Sequence, residues 1–173
     1  MQMTSALANK VLKKLNDDKE FWLSRESNGY IYVAAVDEEP VIPDYDYAEV
    51  SRTIAEIDDK IVRIKHAINC ANATNIITVG NEEMTADMIL VRMAQLNNRM
   101  GMLDRMRKTE PKSRRDLYYY NGPKKSVPEY QYINYDLEQV RADYEKTSRL
   151  IAEMQIALDK YNQTVMFDVD VEI

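Results

Sequence analysis

An apolar stripe between positions 47 and 71 constrains the fold of this chain more than any other feature. Its members follow one another at alternating spacings of three and four: Tyr47, Val50, Ile54, Ile57, Ile61, Ile64, Ile68 and Ala71. This spacing places them on one side of an α-helix, where a partner helix must cover them. Asp46, followed three residues later by Glu49, is typical of a helix start. The stripe therefore predicts a helix over about 46–75.

Three further segments show the same alternation, over about 4–25, 85–108 and 135–162. Their stripes are Leu7, Val11, Leu15 and Trp22 in the first, Ile89, Met93, Leu96, Met100 and Leu103 in the second, and Leu137, Val140, Tyr144, Thr147, Ile151, Met154, Leu158 and Tyr161 in the third. Four such stripes can bury one another as an antiparallel bundle. We therefore predict a mainly α fold, an antiparallel helical bundle or coiled-coil hairpin, in a single domain over 1–173.

The stripes are narrow, and slender helical hairpins bury narrow seams well against copies of themselves. We expect the protein to form a homo-oligomer for this reason. The residues predicted to form the helix seam or the subunit contact are Ile54, Ile57, Ile61, Ile64, Ile68, Tyr144, Ile151, Met154 and Leu158.

Two stretches depart from the helical pattern. The C-terminal residues alternate strictly between apolar and acidic from Val165 to Ile173, which is typical of a half-buried strand. The best mate within the chain is Gly29–Val36, rich in β-branched and aromatic residues, and Ile76–Val79 precedes the turn-like Gly80. We expect a small β element with strands near 29–36, 76–79 and 165–173, paired within the subunit or across subunits.

Composition and charge limit the classes of function. With 45% apolar and 30% charged residues and four glycines, the chain suits long regular elements rather than disorder. A formal net charge of −6 argues against a surface devoted to nucleic acid or to anionic membranes. No stretch has the length and apolarity of a signal peptide or a membrane span, and Cys70 is the sole cysteine. We expect a soluble cytoplasmic protein that does not bind membranes.

The sequence offers little material for catalysis. His66 and Cys70 lie four residues apart and would share a helix face, as two metal ligands do. No other histidine or cysteine is available to complete a zinc site, and no glycine-rich phosphate loop occurs. We therefore predict that the protein is not an enzyme and has no catalytic residues, cofactor or metal.

An asparagine cluster marks the end of the isoleucine helix. Asn69, Asn72 and Asn75 follow at spacings of three, and Asn162 lies near the end of the last helix. Side-chain amides at such positions can satisfy unpaired backbone groups or set the register of helices. The alternative is a polar ligand pocket that includes Asn162. Both interpretations predict that the cluster is at least partly buried.

Residues 105–135 are basic and rich in tyrosine, within an acidic chain. Cations and tyrosine rings suit single-stranded nucleic acid, and that interpretation would use Arg107, Arg114, Arg115, Lys124 and Lys125. The remaining acidic surface would repel a polyanion, which makes nucleic acid an unlikely partner. Asp116–Tyr120 and Glu129–Tyr135, on either side of a turn, could form a tyrosine hairpin for protein contact, and a solvated loop is the third interpretation.

The stretch INCANATNIITVGNEEMTADMILVRMAQLNNRMGML and the later LDKYNQT resemble the septicolysin-like family of small bacterial proteins. The resemblance covers about 47–164, and its matching positions are Ile68, Asn69, Asn72, Thr74, Gly80, Thr85, Leu90, Arg92, Leu158, Asp159 and Asn162. It implies a helical-hairpin core without an established activity. Gln163 stands where the family tends to place an aromatic residue.

These patterns together predict a non-enzymatic structural or interaction protein that associates with itself through its helical seams. Its expected partners are further copies of the chain or an unidentified protein. The alternative hypothesis is a nucleic-acid-binding accessory protein that uses the basic tyrosine-rich segment.

Overall fold

The computed structural model describes residues 1–114 and 128–172. Four helices form most of the structure: α1 (Ser5–Gly29), α2 (Tyr47–Thr74), α3 (Ala86–Lys108) and α4 (Leu137–Thr164). Short antiparallel strands accompany them in small sheets. The prediction of a mainly α fold with a minor β element is confirmed. Among the described helices, none combines the length and apolarity needed to cross a membrane.

Side-chain caps determine where three of the helices begin. The Asp46 carboxylate accepts hydrogen bonds from the amides of Ala48 and Glu49 at 2.8 and 3.3 Å, and Asp136 caps α4 in the same way. The hydroxyl of Thr4 does this for α1. Each cap satisfies amides that have no partner within the helix. The start predicted at Asp46 is therefore present, and the same local arrangement begins α4 at Asp136.

The chain divides into two compact units, one made of Met1–Ile77 with Leu158–Ile173 and the other of Thr78–Ala157. In the first unit, α1 and α2 run antiparallel, and Lys19 of α1 forms an ion pair with Asp58 of α2 at 2.6 Å. Beside this pair lies an apolar core built from both helices and from the chain before α1 and after α4: Met3, Ala8, Leu12, Leu15, Ile57, Ile61, Ile64 and Val169.

The predicted stripe of α2 is the side that packs in this core. Ile57, Ile61 and Ile64 are buried, Ile54 and Ile68 are half-buried, and Tyr47 is exposed. The stripe predicted for α1 was partly wrong, because Leu7 is 44% exposed and Ala8 is fully buried in its place. Ala8 belongs to the core that α1 shares with α2, so the buried face of α1 includes Ala8 rather than Leu7.

The C-terminal strand pairs within the chain, with a mate that the sequence did not predict. β1 (Gln2–Thr4) pairs antiparallel with β6 (Met166–Asp168), and Met3 lies opposite Phe167. The predicted strand over 29–36 is wrong: Gly29 still belongs to α1, and the residues after it form no strand. β1 already occupies the edge of β6, and α1 carries Gly29 into its own last turn.

Two hairpins complete the secondary structure. β2 (Ile76–Val79) matches its predicted position and pairs with β3 (Glu82–Thr85) around Gly80, which has a φ of +59°. Glycine adopts this left-handed conformation at little cost. β4 (Lys112–Arg114) pairs with β5 (Tyr130–Tyr132).

Replacing Ile64 by alanine should lower the free energy of unfolding by about 2–5 kcal/mol, because its side chain is fully buried and the cavity would not close completely. Chemical denaturation followed by circular dichroism would measure this loss. Val62→Ala is the matched control, since Val62 lies on the same helix and is 64% exposed; it should change stability by less than about 0.5 kcal/mol. Equal effects of the two substitutions would contradict the packing described here.

Candidate functional site

The connector between α1 and α2 is exposed to solvent at every residue from 31 to 42. Val33, Val36 and Val41 are 94%, 102% and 89% exposed, and the neighbouring isoleucines are also exposed. No helix or strand forms here, and the Glu38 amide donates a hydrogen bond to the Ala35 carbonyl at 3.2 Å. We call residues 31–42 the connector arm. None of the described residues buries the apolar side chains of this segment.

Contacts with the end of α1 hold the base of this arm. The Arg25 guanidinium donates to the Asp44 carbonyl at 3.1 Å, and the Tyr45 hydroxyl donates to Glu26 at 3.4 Å. Partial burial raises the pKa of Tyr45, and the Glu26 carboxylate raises it further. A Cβ added at Gly29 would come within 2.6 Å of the Tyr45 Cβ, so a glycine is needed for this close approach. The arm thus leaves from a fixed base.

In the second unit, a groove of about 270 Å³ lies between α3 and α4. Leu96, Leu103 and Leu150 give it an apolar lining. Its charged lining consists of three cations and one carboxylate: Arg92, Arg99, Lys146 and Asp143. We call this the basic groove. Its charge is opposite to that of the protein as a whole, whose formal net charge is −6.

The β4–β5 hairpin gathers tyrosines and cations on one face. Lys112 lies opposite Tyr132, and Arg114 lies opposite Tyr130. Since side chains alternate between the two faces of a strand, these four residues share one face. The ammonium of Lys112 lies 4.4 Å from the ring centre of Tyr130 and 5.5 Å from that of Tyr132, within cation–π range. We call this the tyrosine–cation face.

Only part of this face was predicted. Arg114 was among the expected polyanion contacts, whereas Lys112 was not assigned to them and the two tyrosines were placed in a hairpin of different pairing. The matched alternation of Lys-Ser-Arg at 112–114 with Tyr-Gln-Tyr at 130–132 is the signal that could have found it. Arg115, Lys124, Lys125 and the predicted strand Asp116–Tyr120 lie outside the described residues.

Arg107 was also expected to contact a polyanion, and it is engaged within the chain. Its guanidinium forms an ion pair with Asp104 at 2.7 Å, and its central carbon lies 3.9 Å from the ring centre of Tyr144. Asp104 pairs with Lys108 as well, at 2.6 Å. Hydrogen bonds from Lys108 and then from Arg107 lower the pKa of Asp104, while Asp104 raises the pKa of Arg107. These charges stabilise α3 and its contact with Tyr144.

The asparagine cluster has a partly buried arrangement. The Asn75 side-chain amide donates to the Ala71 carbonyl at 3.0 Å and to the Tyr161 hydroxyl at 3.5 Å, which caps the end of α2. Asn72 and Asn162 are half-buried, and Asn69 is exposed. Among the described atoms, the Asn72 Oδ1 is buried without a hydrogen-bond partner. Asn75 thus acts as a structural cap, and the ligand pocket with Asn162 stays a prediction.

The remaining predicted residues form no reactive cluster in the described chain. Met154 and Leu158 are buried, and Ile151 is half-buried. The Cys70 Sγ lies 3.5 Å from the His66 Nε2, with both side chains exposed. No group of three potential metal-ligating side chains occurs among the described residues.

The fold is similar to that in the crystal structure of a functionally unknown conserved protein from Corynebacterium diphtheriae. The similarity has a TM-score of 0.58 and 12% sequence identity, and it covers 97% of this chain and 100% of the other. At this level of identity it shows the fold alone. No protein-family model and no curated protein matches the sequence.

The pKa of Asp104 should be below its ordinary value of 3.8 in the folded protein. The ionised carboxylate then favours folding at neutral pH, and this contribution is lost as the pH falls through the lowered pKa. Asp104→Asn should therefore destabilise the protein at pH 7, and the difference from wild type should shrink in acid. NMR titration of the carboxyl group would measure the pKa, and Lys108→Ala should raise it. A wild-type pKa of 3.8 or above would contradict the ion pairs.

Proposed function

We propose that this protein is a non-enzymatic interaction protein that associates with itself through the connector arm. The observation that supports this most is the exposure of six large apolar side chains within twelve residues: Ile31, Tyr32, Val33, Val36, Val41 and Ile42, each at least 52% exposed. Monomeric proteins seldom leave such apolar surface uncovered. Covering it would contribute about 25 cal/mol for each Å² of apolar area.

The arm is a better candidate for the contact than the isoleucine seam. Ile57, Ile61 and Ile64 are covered by α1 within the same chain, so the seam would have to open before it could bind another copy. The arm needs no such opening, and Arg25, Glu26 and Gly29 already hold its base. A cytoplasmic location and kinship with the septicolysin-like family are part of this proposal, and they assign no further activity.

Replacing Val33, Val36 and Val41 together by serine should convert an oligomer into a monomer of about 20.2 kDa. Size-exclusion chromatography with light scattering, over a range of protein concentrations, would measure the mass. The unfolding transition should not change, because the three side chains make little contact with the rest of the chain.

Val62→Ser is the matched control, because Val62 is an exposed valine on the regular surface of α2. It should keep the mass of the wild type. A wild type that stays monomeric at every concentration would contradict self-association, and an unchanged mass of the triple variant would contradict the role of the arm.

The tyrosine–cation face supports a second candidate function, the binding of single-stranded nucleic acid. Tyr130 and Tyr132 are 45% and 62% exposed, and Lys112 and Arg114 lie beside them on the same face. Rings in such a position can stack on bases while the cations approach phosphates. The acidic net charge of −6 limits this hypothesis to a local contact with a short strand.

Replacing Tyr130 and Tyr132 by leucine should weaken binding of a fluorescent single-stranded oligonucleotide by at least about tenfold, because each lost stacking contact costs about 1–3 kcal/mol. Fluorescence anisotropy at low salt would measure the affinity. Lys65→Ser, which removes an exposed cation from α2, is the control and should leave binding unchanged. No binding by the wild type would eliminate this candidate.

A further inference from the structure

The connector arm carries a block of negative charge between its apolar ends. Asp37, Glu38 and Glu39 are consecutive and exposed, and residues 31–42 contain no lysine or arginine. None of the three carboxylates forms an ion pair with a described residue. Val36 precedes the block, and Val41 and Ile42 follow it after a proline. A surface that covers this arm must therefore provide both cations and apolar contact.

The basic groove provides both. Several described cations are held in ion pairs, as Lys19, Arg63 and Arg107 are. In contrast, Arg92, Arg99 and Lys146 have no ion-pair partner among the described residues, and all three are exposed. The lone carboxylate of the groove, Asp143, already accepts a hydrogen bond from Gln139 at 3.0 Å. The groove thus has a local excess of positive charge beside a leucine lining.

The dimensions of the two surfaces agree. Arg92 and Arg99 are seven residues apart on α3, which corresponds to about 10 Å along the helix axis. An extended chain of four residues covers that distance, at about 3.3 Å per residue. The three consecutive carboxylates span about 7 Å once the turn at residues 36–38 straightens on binding, and the long glutamate and arginine side chains cover the remaining distance. A groove of about 270 Å³ has room for a few aliphatic side chains and none for a helix.

We propose that the connector arm of one copy binds the basic groove of a second copy. The carboxylates of Asp37, Glu38 and Glu39 meet the cations of the groove, and the flanking valines contact its leucines. Each copy has one arm and one groove, and a reciprocal exchange between two copies would use both contacts and close a dimer. This inference rests on the proposed self-association and adds the surface that receives the arm.

Charge reversal tests the contact. The arm variant D37K/E38K/E39K and the groove variant R92E/R99E/K146E each place like charges together, so each alone should dimerise at least about tenfold more weakly than the wild type. An equimolar mixture should recover the dimer, because the reversed arm meets the reversed groove while the native arm meets the native groove. Light scattering should then give about twice 20.2 kDa, and recovery also shows that both variants are folded.

The other outcomes separate this inference from the proposed function. If the groove variant keeps the mass of the wild type while the arm variant is monomeric, the arm binds a surface other than the groove and the inference is wrong. An oligomer that neither variant weakens, or a mixture that does not recover, overturns the inference and leaves self-association intact. A wild type that is monomeric at every concentration overturns both. Nucleic acid that co-elutes with the wild type and is lost in the groove variant would assign the groove to a polyanion instead.

Discussion

The packing of the α2 isoleucines against α1 is the contact on which the first unit depends. Ile64 and Ala8 are fully buried there, and Met3 and Val169 close the same core from the β1–β6 pair. Burying one such isoleucine contributes about 1.5–3 kcal/mol. The apolar faces of α1 and α2 pack against each other, and the segment that joins the two helices stays outside this core.

The cations of the second unit differ in whether a carboxylate pairs with them. Asp104 forms ion pairs with Arg107 and Lys108, and the Arg107 guanidinium lies over the ring of Tyr144. Surface pairs of this kind contribute little to stability, so their main effect is to reduce the charge available for binding. The cations of the basic groove and of the tyrosine–cation face lack such carboxylate partners among the described residues. Local excess charge of this sort favours specific contact over general attraction to polyanions.

Much of the fold was predictable, because its signals are local. The four helices, the Asp46 and Asp136 caps and β2 all follow from residues within one or two turns of each other. The partner of the C-terminal strand was not predictable in this way. Gln2–Thr4 has only three residues, too few to show the alternation of apolar and polar residues that marks a strand. The candidate site was predicted less well: Arg114 lies on the tyrosine–cation face, whereas Arg107 is occupied by Asp104.

By itself, the sequence determined that the chain is mainly helical, where its helices begin and which face of α2 is buried. Only the tertiary structure decided that α1 covers this face and that the strand-like segment after Gly29 stays exposed. It also decided that Arg107 of α3 pairs with a carboxylate, whereas Arg92 and Arg99 do not pair with any described carboxylate. The physical reason is the range of the interactions. Helix periodicity and capping act between neighbours in the chain, whereas the burial of a face and the pairing of a charge depend on residues that only folding brings together.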